Sequence, residues 1–266
     1  MLIDTHCHLD AAEFDADREV VLQHAQAAGL TAIVVPAVEY ANFQTVVNLA
    51  KSRPCIGFAL GIHPMYVEGA NPSHLKKLSE SLENELTCIA IGEIGLDYYV
   101  TRSNKETQEY FFTEQLKLAQ RFDLPVILHV RNAIDDILKF LRKIPVRGGI
   151  AHAFNGSRQQ ADIFIDMGFK LGFGGAMTYP RALKIRELAV SLPIEAIVLE
   201  TDAPDIPPAW IGNKGRNSPA ELKQIAQVLA DLRNENFQQV IDSTSKNALQ
   251  ALPKLADLCT SLKVIH

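Results

Sequence analysis

The chain has 266 residues, 47% hydrophobic and 21% charged, with a formal net charge of −5. That length and balance suit a soluble globular chain able to bury a sizeable core, as one large domain or two small ones. The negative charge excludes nucleic-acid binding through a broad electrostatic face, so a polyanion would have to be met by a local cationic cluster or by bound metal.

Two periodicities alternate along the chain. Apolar runs rich in branched residues predict strands in LIDTHCHL (residues 2–9), TAIVVPAV (31–38), CIGFALGIHP (55–64), CIAIGEIGLD (88–97), PVILHV (125–130), GGIAHAF (148–154), FKLGFGGAM (169–177) and EAIVLETDAP (195–204). Helical spacing predicts helices over 18–29, closed by Gly29, then 43–52, 75–86, 106–122, 133–144, 158–167, 181–191 and 219–232, with a last helical stretch from Phe237. Eight strands each followed by a helix imply a parallel sheet. Over this length they fit a (β/α)8 TIM barrel, read as a single α/β domain over 1–266, better than an open doubly wound sheet. No Gly- or Pro-rich linker divides the chain.

The four cysteines, Cys7, Cys55, Cys88 and Cys259, form no CxxC pair and read as thiols of a reducing compartment. The first residues, MLIDTHCH, lack the basic and apolar regions of a secretory signal, and no apolar run approaches the ~18 residues of a spanning helix. The expectation is a cytoplasmic protein that works without a membrane. No feature of the chain calls for an obligate protein partner, and a monomer is the default.

Buried parallel strands should be apolar throughout. Here polar residues recur where the predicted strands end: His6, His8, His63, Glu93, His129, His152 and Asp202. In a barrel those ends form one face, where active sites are built. His6 and His8 share a strand face, with Cys7 on the other, and two imidazoles so spaced can ligate one cation; packing is the alternative for HxH alone. Glu93, flanked by glycines, can approach and bridge two cations, or serve as a salt-bridged carboxylate. His129 and His152 occupy equivalent places on adjacent strands. Asp97 is placed in the loop after its strand, with a structural or substrate-adjacent role. Glu200 sits deeper than Asp202 and reads as structural, touching the site from behind. Four histidines, a glutamate and an aspartate suit divalent ions that accept nitrogen and oxygen, such as Zn²⁺ or Mn²⁺. Two ions about 3.5–4 Å apart, sharing a carboxylate, would use all six.

The motifs DTHCHLD, LGIHP, IGEIGLDYY, PVILHVR, HAFNGS and LETDAP, in this order over residues 4–204, resemble the TatD family of metal-dependent hydrolases among the amidohydrolase-like barrels. The resemblance implies two divalent metal ions (Zn, Mn or Mg), one held by His6, His8 and Asp202, the other by His129 and His152, with Glu93 bridging. It places His63 and Arg131 near the substrate phosphate, where the residues alone also allow strand-end packing and a surface ion pair. It implies a 3′→5′ exodeoxyribonuclease acting on DNA, or RNA, with nucleic acid ends or another phosphoester as substrate. In that mechanism Asp202 and Glu93 are the catalytic residues, Asp202 doubling as general base toward a metal-activated water. One departure is KGRNSPAEL, where Ser218 stands in place of a Glu common in the family; Ser218-Pro219 also reads as a helix N-cap.

The rival activity is metal-dependent hydrolysis of a small ester, amide or phosphoester. A binding or metal-storage module ranks below it, because Asp202 and an apolar barrel surround an open metal site. An aldolase- or isomerase-type barrel ranks lowest, because no predicted strand end offers a Schiff-base lysine. Tyr98 and Tyr99 read either as base-stacking groups at a pocket rim or as loop packing. Phe111 and Phe112 read as core, and Lys76-Lys77 as a solvated helix face.

Overall fold

The computed structural model describes residues 1–99 and 104–263, with side chains as far as residue 259. Eight strands run parallel in sequential order. They are β1 (Leu2–Asp4), β2 (Leu30–Pro36), β3 (Ile56–Leu60), β4 (Ala90–Asp97), β5 (Val126–Arg131), β6 (Gly149–Ala151), β7 (Phe169–Phe173) and β8 (Ile197–Leu199). Past the ends of β1 and β8, Thr5 N–H donates to Leu199 O (3.1 Å), Asp202 N–H to His6 O (2.8 Å) and His8 N–H to Ala203 O (2.8 Å). These bonds join the last strand to the first and complete the (β/α)8 barrel.

Helices return the chain between strands: α1 (Arg18–Ala27), α2 (Phe43–Ser52), α3 (Pro72–Asn84), α4 (Lys105–Phe122), α5 (Ile134–Lys143), α6 (Arg158–Asp166), α7 (Leu183–Ser191) and α8 (Leu222–Arg233). Their starts follow the local chemistry. Asn71 accepts from Ser73 N–H with Pro72 at the first helical position, and Ser157 forms a capping box with Gln160. The C-terminal stretch is two helices, α9 (Phe237–Ala251) and α10 (Pro253–Lys263), broken where Pro253 cannot continue the helical bonding of α9. No described helix is long and apolar enough to cross a membrane.

Strand alternation sorts the apolar residues into two layers. Ile33, Val35, Phe58, Leu60, Leu128, Leu171 and Leu199 face the helices and pack with Phe111, Phe112 and Phe164, each buried side chain contributing about 1.5–3 kcal/mol. Ile3, Val34, Ala59, Ile127, Ile150 and Val198 fill the barrel, joined by Leu252 and Leu255 from the α9–α10 corner. That corner packs over the mouth where the strands begin, and a cavity opens at the opposite mouth.

At the open mouth the strands are shorter than the apolar runs suggest. β1 stops at Asp4, β3 at Leu60, β6 at Ala151 and β8 at Leu199. His6, His8, His63, His152 and Asp202 therefore lie on the first turns beyond the ladder, not on strand ends. The chain leaves the ladder because these turns need backbone that a strand cannot supply: Ala153 has φ 45° and Asp202 φ 58°. Two expectations err in the other direction. Glu93 lies within β4 and Asp97 is its last residue, since pairing with β5 continues to Asp97 opposite Arg131. The register with β5 shifts between Ile91 and Ile94, which breaks the alternation and turns Glu93 into the barrel.

Candidate metal centre

Glu93, almost wholly buried, stands between two groups of donors. Its Oε2 lies 3.1 Å from His6 Nε2 and 3.5 Å from His8 Nε2. Asp202 Oδ1 lies 3.5 Å from His6 Nε2 and 3.6 Å from His8 Nε2, and the two imidazole nitrogens are 3.3 Å apart. Ligands about 2.0–2.1 Å from a tetrahedral ion are separated by roughly 3.3–3.4 Å. The first group thus has the spacing of a cation shell. His6 and His8 converge as expected of HxH, through a turn instead of a strand face. Cys7 points away, its Sγ donating to Ala203 O.

The other oxygen, Glu93 Oε1, faces His129 Nδ1 (2.8 Å), His152 Nε2 (3.1 Å) and His63 Nε2 (3.3 Å). His129 Nε2 is 3.0 Å from Asp97 Oδ2. Both ring nitrogens thus face carboxylates, which only accept. Burial would lower the His129 pKa, but the bonds to Asp97 and Glu93 raise it. A cation in the second group would displace the Nδ1 proton while Asp97 keeps the one on Nε2. His63 is set the other way. Its Nδ1 accepts Met65 N–H (3.1 Å), so in the neutral ring Nε2 is a donor and not a ligand. Gly95 makes this closeness possible: a Cβ there would lie 2.0 Å from His129 O.

The protein groups alone titrate as an interlocked set. Burial, then the field of His152, hold His6 well below the usual imidazole range. Burial also takes His63 down to about 4, so it is neutral. Burial alone would lower His8, but its bond to Glu93 and the charge of Asp202 carry it up to about 9. Burial would raise Glu93; the surrounding His63, His152 and His6 instead hold it well below the carboxylate range. Burial pushes Asp202 up to about 6, against the pull of His152 and His8. Three overlapping sets of nitrogen and oxygen atoms converge here, His6–His152–Asp202, His6–His8–Glu93 and His63–Glu93–His129, the last including the non-ligating His63. Buried His6 Nδ1 has no hydrogen-bond partner. A divalent cation accepting imidazole and carboxylate fits this donor chemistry.

The open mouth is a cavity of about 1570 Å³ reaching from His8, His63, Glu93, His129, His152 and Asp202 to the rim. Among the described residues lining it, Arg131 and Lys105 are the arginine and the lysine, against a rim carrying Asp10, Glu13, Glu39, Asp135, Asp136 and Asp205. Arg131 is half exposed; its guanidinium lies 3.8 Å from the Tyr99 ring centre, and Nη1 is 4.0 Å from Asp97 Oδ2. Tyr98 lines the cavity with its hydroxyl donating to Glu109 (3.2 Å). Tyr99 is exposed. Lys76 and Lys77 are exposed on α3, and Phe111 and Phe112 are buried in the core.

Two supports escape the sequence reading. Asp4 Oδ1 accepts His6 N–H (3.2 Å) and Thr201 N–H (3.0 Å), and its Oδ2 accepts the Thr201 hydroxyl (2.6 Å). It ties the turn bearing His6 to the turn bearing Asp202. The signal was available: a carboxylate inside the apolar run LIDTHCHL. Ser218 is the N-cap of a short helical turn, accepting Ala220 N–H (3.3 Å). Its neighbour Asn217 does more for the site: buried, it donates to Thr201 O (2.8 Å), Asp205 O (2.9 Å) and Ile206 O (3.3 Å), holding the segment that contains Asp202. Nothing in the sequence announces those carbonyls, which lie 11–16 positions away.

The family profile described as TatD related DNase matches residues 3–253. The chain is 42% identical over 248 residues to the metal-dependent hydrolase YjjV of Escherichia coli K12, covering 92% of this chain and 95% of that one. It is 34% identical over 250 residues to the metal-dependent hydrolase YabD of Bacillus subtilis, covering 93% and 97%. The crystal structure of YjjV, a TatD homologue, superimposes with a TM-score of 0.89 at 40% identity over 95% of this chain and 98% of that one. A TatD-family hydrolase from Entamoeba histolytica shares the fold, with a TM-score of 0.81 at 21% identity over 94% and 97%.

Proposed function

This chain belongs to the TatD family of metal-dependent hydrolases, and from that premise we propose that it is a two-metal phosphodiesterase removing nucleotides from the 3′ end of single-stranded DNA, with RNA as a further substrate. The observation that carries the reading is Glu93, one carboxylate with an oxygen in each of two donor groups. In this reading His6, His8 and Asp202 would hold one ion, His129 and His152 the other, and Glu93 would serve both, with Zn²⁺, Mn²⁺ or Mg²⁺ as the ions. Bound there, divalent cations supply Lewis acidity at a phosphoryl oxygen and make water acidic enough to deprotonate near neutral pH. Asp202, which lines the cavity, accepts the proton of the attacking water. His63 offers its Nε2–H, and Arg131 its guanidinium, to the phosphoryl oxygens.

The acidic rim supports a single strand end over a duplex. A duplex would bring a second row of phosphates against Asp10, Glu13, Glu39 and Asp205, whereas a strand end needs only the base of the cavity and the Arg131 side. The same rim favours a second reading, hydrolysis of a small phosphoester or carboxylic ester. The protein acts as a monomer in the cytoplasm, where Cys7, Cys55 and Cys88 stay free thiols.

The test is a time course on a 5′-labelled single-stranded DNA oligonucleotide with Mg²⁺ or Mn²⁺, beside bis(p-nitrophenyl) phosphate and a p-nitrophenyl carboxylic ester. A ladder shortening from the 3′ end supports the exonuclease. Turnover of a small ester with the oligonucleotide left intact shifts the assignment to the second reading.

A further inference from the structure

Beneath the six donors lies a carboxylate that the proposed chemistry does not use. Glu200 is buried at 1% exposure. It shares strand parity with Val198, an inner residue of β8, so its side chain enters the barrel below the metal centre. The fold keeps room for it. A Cβ at Gly172 would lie 2.1 Å from Glu200 Oε2, and one at Gly174 would lie 2.7 Å from Glu200 O.

Glu200 Oε1 accepts the backbone N–H of Ala153 at 2.5 Å, on the left-handed turn that follows His152. Its Oε2 has no hydrogen-bond partner, and neither does His152 Nδ1. The two side chains face one another, with Nδ1 3.7 Å from Oε1. An imidazole N–H donates and a carboxylate oxygen can accept twice, so Oε1, already holding Ala153 N–H, meets the unpaired Nδ1 once the 3.7 Å gap closes by under about 1 Å to hydrogen-bond length. The ring is already fixed in plane: it stacks on His6 with centroids 3.9 Å apart and planes 15° apart. Its far nitrogen, Nε2, is the atom facing Glu93 Oε1.

We infer that Glu200 is a positioning residue: it holds the proton of His152 on Nδ1 and so presents the Nε2 lone pair to the second cation. Asp97 does the same for His129 from the other side, through the opposite ring nitrogen. Both imidazoles of the second group are thus backed by carboxylates, an arrangement that orients a ligating histidine and raises its basicity. The inference rests on the second donor group being a cation site, as proposed above.

Two measurements test it. Long-range ¹H–¹⁵N correlation on histidine-labelled, Zn²⁺-loaded wild-type protein reads the tautomer of His152. A proton on Nδ1 is expected; a proton on Nε2 overturns the inference without any variant. Calorimetric titration with Zn²⁺ then compares wild type with Glu200→Gln, Glu200→Ala and Gly172→Ala, each checked for fold by circular dichroism. The second ion should bind about 10–100-fold more weakly in all three, with the first ion unaffected. Gly172→Ala added to Glu200→Ala should cost nothing further, since the methyl acts by displacing the carboxylate. Unchanged affinity for both ions in folded Glu200→Ala overturns the role of Glu200 alone. A wild type that binds no second ion overturns the two-metal reading itself.

Discussion

Glu93→Gln is the perturbation that separates a shared carboxylate from two independent sites. The amide keeps one oxygen and replaces the other by an NH2 group that cannot ligate. Because Oε2 faces His6 and His8 while Oε1 faces His129 and His152, the single remaining oxygen can serve only one group. A ligand binding the folded state alone stabilises it by about 2.7 kcal/mol at a free concentration 100 times its Kd. Two ions so bound contribute about 5 kcal/mol. In a chain of this size each kcal/mol moves Tm by about 2–4 °C, so the wild-type midpoint should rise by roughly 10–20 °C between chelator and saturating metal. The Gln variant should show half that rise or less, and calorimetry should count no more than one ion. Arg131→Ala, outside both groups, should keep the full rise. Two ions bound by Glu93→Gln at wild-type affinity would refute the bridging geometry.

Other consequences are as specific. Asp202→Asn keeps an acceptor oxygen but cannot take a proton, so kcat on the active substrate should fall about 10²–10⁴-fold in a folded protein; full turnover with intact metal content removes the general base. Asn217→Ala strands the buried carbonyls of Thr201, Asp205 and Ile206 and should cost about 1–3 kcal/mol in urea unfolding, with activity lost alongside; an unchanged midpoint contradicts that support. His8 keeps its proton up to about pH 9, so a cation entering the first group must expel it. Affinity should therefore climb with pH between roughly 6.5 and 8.5, with proton release seen as a dependence of the calorimetric heat on buffer ionisation enthalpy. A pH-independent affinity would contradict the protonated His8.

The barrel was legible before any coordinates because its signal is repetitive. Eight apolar runs alternating with helical segments leave few ways to bury every strand on both faces. The convergence of His6, His8, Glu93, His129, His152 and Asp202 was legible for the same reason: polar residues interrupting buried strands at one end must share one mouth. What the residue types could not express was direction. Which nitrogen of His63 donates depends on Met65 N–H, and His129 is held between the carboxylates of Glu93 and Asp97. Those partners are reached only when the turns beyond the strands close. Asp97 looked like a loop residue because strand length is decided by cross-strand pairing with Arg131, a contact 34 positions away. Sequence pattern determined the architecture and the donor set through local periodicity. The tertiary structure alone decided which oxygen of Glu93 faces which group, the partners of the histidines around it and the anchoring of the Asp202 turn by Asp4 and Asn217, because each rests on contacts between segments far apart in the chain.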